Sequence, residues 1–394
     1  MRILGITDQT IDPPAAGGAE RIRTLYERLA RKHDVDIVNL VGFREKTGES
    51  RLAPRLRIQK VRAVQRTLAY YLDRRRLAPV FTAHYAHALL APLYAAALRR
   101  RAYDVAQIDG IALGPLLGAL PRGLPTVYTA HNVEAEFFRA YLEPFPLRKQ
   151  YLNALTRMER AILRRADSVV AVSDRDRALL AASYGIFEQK IVTVPNGYDE
   201  DRFRPAGEAE RLTLRRMMGF APEERIVLFA GSRVPHNEAA VRLLAGRVAP
   251  RLPARCRLVV VGTVGSAFEF VADPRVRVTG PVPDVLPYFQ AADVAVNPVE
   301  SGGGTNIKVM QSLAAGLPVV STAFGMRGLE ALVPFVRIAE VDDIPEALAG
   351  PLPPAAPGLR ERLAALSWGA SARRLESVYE ALLEKSGGAG ESAR

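Results

Sequence analysis

The sequence is poor in cysteine and tryptophan, with one of each, Cys256 and Trp368. A lone cysteine excludes an internal disulfide and fits a reducing compartment. Cys256 precedes the apolar run RLVVVG and reads as a packed thiol. No stretch of about 18 apolar residues occurs, which excludes a membrane-spanning helix. The chain opens on the strand-like MRILGIT, with no leader-type apolar segment before it, so a cytoplasmic protein is expected. Two nucleotide signatures are also missing. There is no G-x-x-x-x-G-K-[ST] loop, and Gly262-Thr263-Val264-Gly265 is not G-x-G-x-x-G, which sets aside a nicotinamide-dependent dehydrogenase. No Asp-x-Asp pair reads as a metal site. Asp34-Val35-Asp36 leads into a strand, and Asp174-Arg175-Asp176 opens a helix, where acids suit the dipole. His84 and His87 have metal-like spacing but lie on an apolar helix, so no metal and no cofactor are expected.

Acidic residues are scarce in one region. From Arg44 to Arg101 there are 14 basic residues against three acids, and the whole chain carries +12 from 54 Lys and Arg against 42 Asp and Glu. That balance favours an anionic partner: nucleotide phosphate, lipid headgroup or nucleic acid. A surface biased generally towards arginine is the plainer reading of the same region.

At 394 residues the chain exceeds one ordinary core, so two domains are expected. Strand-like RILGIT, a Pro/Gly loop from Asp8 to Gly18, an amphipathic helix from Ala19 to Lys32 and the strand VDIVNLV make a βαβ opening. A strand near Leu56–Val64, a helix near Thr67–Leu77 and the helix HYAHALLAPLYAAALRR follow. DVAQID, PTVYTA, SVVAVS and IVTVPNG supply further strands, with helices over Val133–Tyr141, Leu147–Arg165 and from Asp174. Polar residues and proline over Tyr198–Pro222 read as a linker. A second series then runs through IVLFAGS, RLVVVG, VRVTG, DVAVNP, PVVST and FVRIA. Residues 1–200 and 201–367 are the expected domains. An amphipathic helix over 368–386 closes the chain, and the tail GGAGESAR is expected to be disordered. Alternating strands and helices imply parallel sheets. Polar residues follow the strand ends at Asp8–Gly18, His131–Glu134, Ser232–Asn237 and Glu300–Asn306, where ligands of open α/β sheets bind. Two such domains facing each other would bring these loops to one cleft.

The stretch ESGGGTNIKVMQ, Glu300 to Gln311, is the most telling. Gly302, Gly303 and Gly304 have no Cβ, so the backbone turns sharply and approaches a ligand closely. Helical spacing begins at Thr305. A helix opening after a glycine turn presents unpaired N–H groups and partial positive charge, and Lys308 adds a full charge one turn in. The pattern suits phosphate; the plainer reading is a surface turn between two α/β units.

In order, GGAERIRTLYERLA, YTAHNVE, RADSVVAVSDRDRALL, VTVPNGYD, VLFAGS, LVVVG, VTGPVPDVLPYFQAADVAVNP, GGGTNIKVMQSLAAGLPVVST and the Trp368 helix cover nearly the whole chain. Together they resemble the GT-B-fold glycosyltransferases of retaining family 4, in the branch with HNVE and GGGT motifs. The resemblance implies an α/β fold of two Rossmann-like domains facing across a cleft, with the C-terminal helix crossing back to the first. It implies sugar transfer from a nucleoside-diphosphate sugar to an acceptor, with retention at the anomeric carbon and without metal.

By resemblance, His131 contacts the donor sugar and helps the transition state, and Gly17 and Gly18 approach the diphosphate or acceptor; Glu300, at a strand end beside the donor loop, is placed to contact the sugar ring. Arg233, Lys308 and the Gly303, Gly304, Thr305 and Asn306 amides neutralise the diphosphate. The family's two donor-site glutamates, eight positions apart, fall on Gly303 and Gln311, so both acids are absent. Gln311 keeps an acceptor oxygen but loses charge. Simpler readings are a capping role for Glu134, tight packing for Gly17–Gly18 and a surface position for Arg233. The acceptor is expected to be anionic or lipid-linked, with peripheral contact at the inner membrane face through Arg44–Arg101 and no specific nucleic acid. Alternatives on the same fold are a nucleotide-sugar epimerase or hydrolase, marked by turnover without acceptor, and a catalytically impaired nucleotide-sugar- or polyanion-binding homologue.

Overall fold

A computed structural model describes residues 1–14, 17–268, 273–352 and 357–391. The chain divides into two compact units, Met1–Pro195 with Ser371–Arg394, and Asn196–Ala370.

The first unit contains strands β1 (Arg2–Thr7), β2 (Asp34–Val41), β3 (Gly48–Ala53), β4 (Leu56–Arg62), β5 (Val105–Asp109), β6 (Thr126–Ala130), β7 (Ser168–Ala171) and β8 (Ile191–Thr193). Its helices are α1 (Gly17–Leu29), α2 (Val64–Arg74), α3 (Ala83–Leu98), α4 (Glu134–Tyr141), α5 (Arg148–Arg165) and α6 (Asp174–Tyr184). The strands form one sheet in the order β3-β4-β2-β1-β5-β6-β7-β8. All neighbours are parallel except the β3–β4 pair. That antiparallel edge departs from the all-parallel expectation. β3, GESRLA, has no apolar alternation because most of it is exposed, so periodicity gives no sign of it. Strands β5, β6 and β7 are buried along their whole length, as parallel strands covered on both faces must be.

The second unit contains helix α7 (Glu208–Met217), strand β9 (Arg225–Ala230), α8 (Pro235–Leu243), β10 (Cys256–Val261), β11 (Val276–Gly280), α9 (Leu286–Ala291), β12 (Val294–Asn297), α10 (Ile307–Ala314), β13 (Val319–Ser321), β14 (Val336–Ile338), α11 (Ile344–Ala349) and α12 (Leu359–Ala365). Its sheet is parallel throughout, in the order β11-β10-β9-β12-β13-β14. Cys256 is a buried free thiol.

The last helix, α13 (Trp368–Glu391), starts in the second unit and ends in the first. In the first unit the Tyr379 hydroxyl donates to Gln107 Oε1 at 2.5 Å, and Ser371 Oγ donates to the Pro195 carbonyl at 2.9 Å. The tail expected to be disordered is helical over 387–391, while 392–394 lie outside the described residues. The expected linker over Tyr198–Pro222 is also corrected. It holds α7, and Tyr198, Phe203 and Phe220 are buried in the second unit's core. Its charged composition belongs to the outer face of α7, with Arg215 turned inward onto Asp293 at 3.0 Å.

The parallel strand order reverses between β1 and β5 in the first unit and between β9 and β12 in the second. Loops leaving the carboxyl ends of such adjacent strands diverge to opposite faces and leave a crevice. The residues described next lie on those loops.

Candidate functional site

In the second unit, the loop after β9 carries Arg233 to Asn237 and the loop after β12 carries Glu300 to Asn306. Gly302 has φ 113°, and a Cβ there would stand 2.9 Å from the His236 ring, so the glycine turn packs where a side chain would collide. α10 starts at Ile307 rather than Thr305, with Asn306 as an N-cap residue whose side chain makes no capping bond. The Asn306 amide donates instead to the Gly325 carbonyl at 2.8 Å. The Thr305 hydroxyl accepts from Asn196 at 2.7 Å. Among the described residues, the backbone N–H groups of Gly303, Gly304, Thr305 and Asn306 donate to no protein acceptor. They and the helix dipole leave a patch of positive potential.

Three basic side chains surround this patch. Lys308 Nζ donates to Asn237 Oδ1 at 2.6 Å and rests 4.2 Å from the centre of the Phe229 ring. Burial of that ammonium lowers its pKa to about 7. Arg327, after β13, donates to the Gly304 carbonyl at 3.0 Å. His236 is held neutral, its pKa lowered to about 4 by burial and then by the positive Lys308 and Arg327. The two cations Lys308 and Arg327 at one loop, with unpaired amides beside them, suit an anion.

The other expected donor residues lie near but are not all drawn into this cluster. Gln311 is partly exposed on α10, one turn beyond Lys308. Glu300 is exposed at the end of the β12 segment. Arg233 is exposed; its Nε lies 3.4 Å from Glu238, its own N–H donates to Thr263 at 2.9 Å, and it makes no hydrogen bond with Lys308. Sequence reasoning passed over Arg327, although it follows a strand end, and reached His236 and Asn237 only as part of the polar stretch Ser232–Asn237.

The first unit has its own polar centre at the carboxyl ends of β1, β5 and β6. Gly17 and Gly18 form the first turn of α1, and a Cβ on Gly18 would meet Gln9 Oε1 at 2.8 Å. Residues 15 and 16 of the loop before them lie outside the described residues. Asp109, the last residue of β5, is fully buried and accepts from the Tyr26 hydroxyl at 2.8 Å and from Gln107 at 3.0 Å. Burial raises its pKa, as it does that of Asp8 after β1.

His131, just after β6, has Nε2 3.8 Å from Asp109 Oδ1 and without a hydrogen-bond partner among the described residues. Its pKa falls to about 3 through burial and then the charge of Arg21, so the ring is neutral at physiological pH. Arg21 is buried on α1 and donates to the Pro195 and Val194 carbonyls at 2.9 and 2.7 Å.

Glu134 is not the cap of α4. The Glu159 carboxylate from α5 accepts from the Glu134 and Ala135 N–H groups at 2.8 and 3.1 Å, and the Tyr184 hydroxyl donates to it as well. Glu134 is buried, and burial with the neighbouring Glu159 raises its pKa to about 8. A buried acid in the middle of α5 carries no cue in sequence that it reaches back to α4. Among the described residues, no group of three or more His, Cys, Asp or Glu is arranged to hold a metal ion.

Two parallel-sheet units, each with polar groups collected at a strand-order reversal, define a double Rossmann-like protein with an anion-holding loop in its second half. Residues 15–202 match the family Glycosyltransferase Family 4, and residues 224–350 match Glycosyl transferases group 1. The two matches lie one after the other over most of the chain, and its fold is that of the GT-B glycosyltransferases. It is 26% identical over 299 residues to a D-inositol 3-phosphate glycosyltransferase of Thermobispora bispora, covering 67% of this chain and 66% of that protein. A protein of the same name from Nocardia farcinica is 29% identical over 296 residues, covering 66% and 62%. The matches thus span just under two thirds of these relatives. In fold, it resembles a sucrose-phosphate synthase from Thermosynechococcus elongatus, with TM-score 0.77, 19% identity and coverage of 98% and 100%. It also resembles Anabaena HepE, solved in complex with UDP-glucose, with TM-score 0.58, 15% identity and full coverage of both chains.

Proposed function

We propose that the protein transfers a sugar from a nucleoside-diphosphate sugar to an acceptor, with retention at the anomeric carbon and without a metal ion. The observation that carries this is the convergence of Lys308, Arg327 and the unpaired Gly303–Asn306 amides at the strand-order reversal of the second unit. Breaking the C1–O bond places positive charge on the sugar ring and negative charge on the departing diphosphate. Fixed N–H donors and cations aimed at that diphosphate stabilise it without reorganisation. Gln311 takes the place of a carboxylate towards the ribose, with a neutral bond of about 1 kcal/mol where a charged one is worth roughly 1.5–3. Arg233 reaches the diphosphate by leaving Glu238.

His131, neutral and with an unpartnered nitrogen, is assigned to the donor sugar in the transition state, and Glu300 to the sugar ring. Gly17 and Gly18 offer the first amides of α1 to the diphosphate or acceptor. The UDP-glucose complex of HepE and the phosphate-bearing acceptor in the name of the inositol 3-phosphate enzymes agree with a sugar-nucleotide donor and an anionic acceptor. The test is turnover of a panel of sugar nucleotides with inositol phosphate and other anionic acceptors in excess EDTA, with the product anomer read by NMR. Retained configuration with acceptor-dependent turnover is expected. Donor consumption that ignores the acceptor would favour an epimerase or hydrolase. Binding without turnover across the panel would favour an impaired homologue.

A further inference from the structure

Helices α2 and α3 present apolar faces to solvent. Of 16 exposed large hydrophobic side chains among the described residues, nine lie between Phe43 and Leu93, so the exposure is local. On α3, AHYAHALLAPLYAAAL, no residue is charged. Its inward face is Ala83, His87, Tyr94 and Leu98. Its outward face is Tyr85, Ala88, Leu89, Pro92, Leu93 and Ala96, with Leu89 81% and Leu93 73% exposed. A helix apolar all round calls for cover on every side. On α2, Val64, Leu68 and Tyr71 make a second exposed row at helical spacing. The two helices are fixed together, since Gln65 donates to the Tyr94 hydroxyl and, at 3.2 Å, to His87 Nδ1.

Charge accompanies the apolar rows. α2 ends at Arg74, followed by Arg75 and Arg76, all three exposed, and α3 runs into Arg99, Arg100 and Arg101, of which Arg100 pairs with Glu49 and Arg101 lies 3.8 Å from Asp36. Arg75 lies 4.6 Å from the Tyr71 ring centre, at the boundary of the apolar row. α3, at 16 residues, is about 24 Å long and too short to span a bilayer. No described helix is long and apolar enough to cross a membrane.

We infer that the α2–α3 face is a docking surface for an anionic lipid membrane. The leucines and tyrosines enter the headgroup–acyl boundary, and Arg74, Arg75 and Arg76 beside them engage lipid phosphates. An interface with another protein would bring apolar contact, but nothing in it asks for the exposed Arg74–Arg75–Arg76 cluster, which has no ion pair among the described residues. This surface is independent of the sugar-nucleotide reading.

The test uses the full chain and sedimentation with vesicles of phosphatidylcholine alone, or of equal parts phosphatidylcholine and phosphatidylglycerol. The native protein binds the anionic vesicles more tightly, and the preference falls with added salt. Removing three charges as Arg74→Gln, Arg75→Gln and Arg76→Gly weakens that binding roughly 100-fold, at about fivefold per basic residue. Leu89→Ser with Leu93→Ser weakens binding by roughly 100-fold while the thermal midpoint and nucleotide-sugar binding stay put. Absence of vesicle binding, or variants that bind as the native protein does, overturns the inference. So does self-association that the leucine variant abolishes in a protein that ignores vesicles, which would give the face to a second copy of the chain. Failure of nucleotide-sugar binding alone would leave it intact.

Discussion

Replacing Lys308 with methionine separates what the site contributes to binding from what it costs in stability. Lys308 holds its ammonium against Phe229 and Asn237, and desolvation moves its pKa from 10.5 to about 7. That difference corresponds to roughly 5 kcal/mol for a fully buried charge. Lys308 is partly exposed, and solvent screening leaves about 1–2 kcal/mol. Methionine keeps the stem and removes this cost, but it leaves Asn237 Oδ1 without its donor, which returns about 1 kcal/mol. The unliganded variant is therefore expected to equal the native protein or exceed it by about 1 kcal/mol at pH 6.

The sign with pH follows from the lowered value. Below about pH 7 the charge is present in both folded and unfolded chains and the cost is complete. From about 7 to 10.5 the folded chain gives up its proton first, so native stability rises with pH across that window. The methionine variant lacks this rise. Donor binding moves the other way. Loss of a charged hydrogen bond to the diphosphate is worth roughly 1.5–3 kcal/mol, or about 10- to 150-fold in Kd. Denaturant unfolding from pH 6 to 10 and calorimetric titration with a sugar nucleotide at pH 6.5 give both numbers. A variant that binds the sugar nucleotide as tightly as the native protein refutes the diphosphate assignment. One that is markedly less stable without ligand refutes the desolvation argument.

Three further substitutions probe other parts of the structure. His131→Ala should lower kcat more than it raises the donor KM, and steady-state kinetics with saturating acceptor checks this. A larger change in KM would make His131 a ground-state contact. Glu134 has its pKa raised to about 8, so its favourable contribution is complete below about pH 4.5 and is lost as pH rises through 8; Glu134→Gln should be less pH-dependent in urea unfolding and more stable than the native protein at pH 9. Arg76 has φ 57° at the end of α2, where Leu77 N–H bonds the Leu72 carbonyl at 2.9 Å and Arg76 N–H bonds that of Asp73 at 2.9 Å. Arg76→Gly should stabilise by about 1 kcal/mol, because glycine takes that left-handed conformation without cost.

Most of the scaffold was legible in the sequence because buried parallel strands are short apolar runs between helices. DVAQID, PTVYTA, RLVVVG and DVAVNP lie on strands β5, β6, β10 and β12. The glycine turn and the helix after it were legible for the same reason, since GGGTNIK joins a strand to an amphipathic helix, although α10 starts two residues later than its spacing suggests. What did not show was long-range pairing. Glu159 caps a helix 25 positions earlier, and Arg327 reaches back to Gly304. Neither contact has local periodicity or spacing to announce it. The Tyr198–Pro222 stretch misled because α7 is polar over most of its surface, and its few inward residues, such as Arg215, are not apolar. β3 escaped notice because an exposed edge strand needs no alternation.

The central claim is that the amides and cations beside Gly302 receive a diphosphate. The direct measurement is the thermal shift of native protein and of Gly302→Val with a panel of nucleoside-diphosphate sugars in EDTA. A valine there would drive its Cβ against His236 and strain a φ of 113°. At least one member of the panel should raise the native midpoint and leave that of the variant unmoved. No shift with any member, or the same shift in both proteins, contradicts the claim.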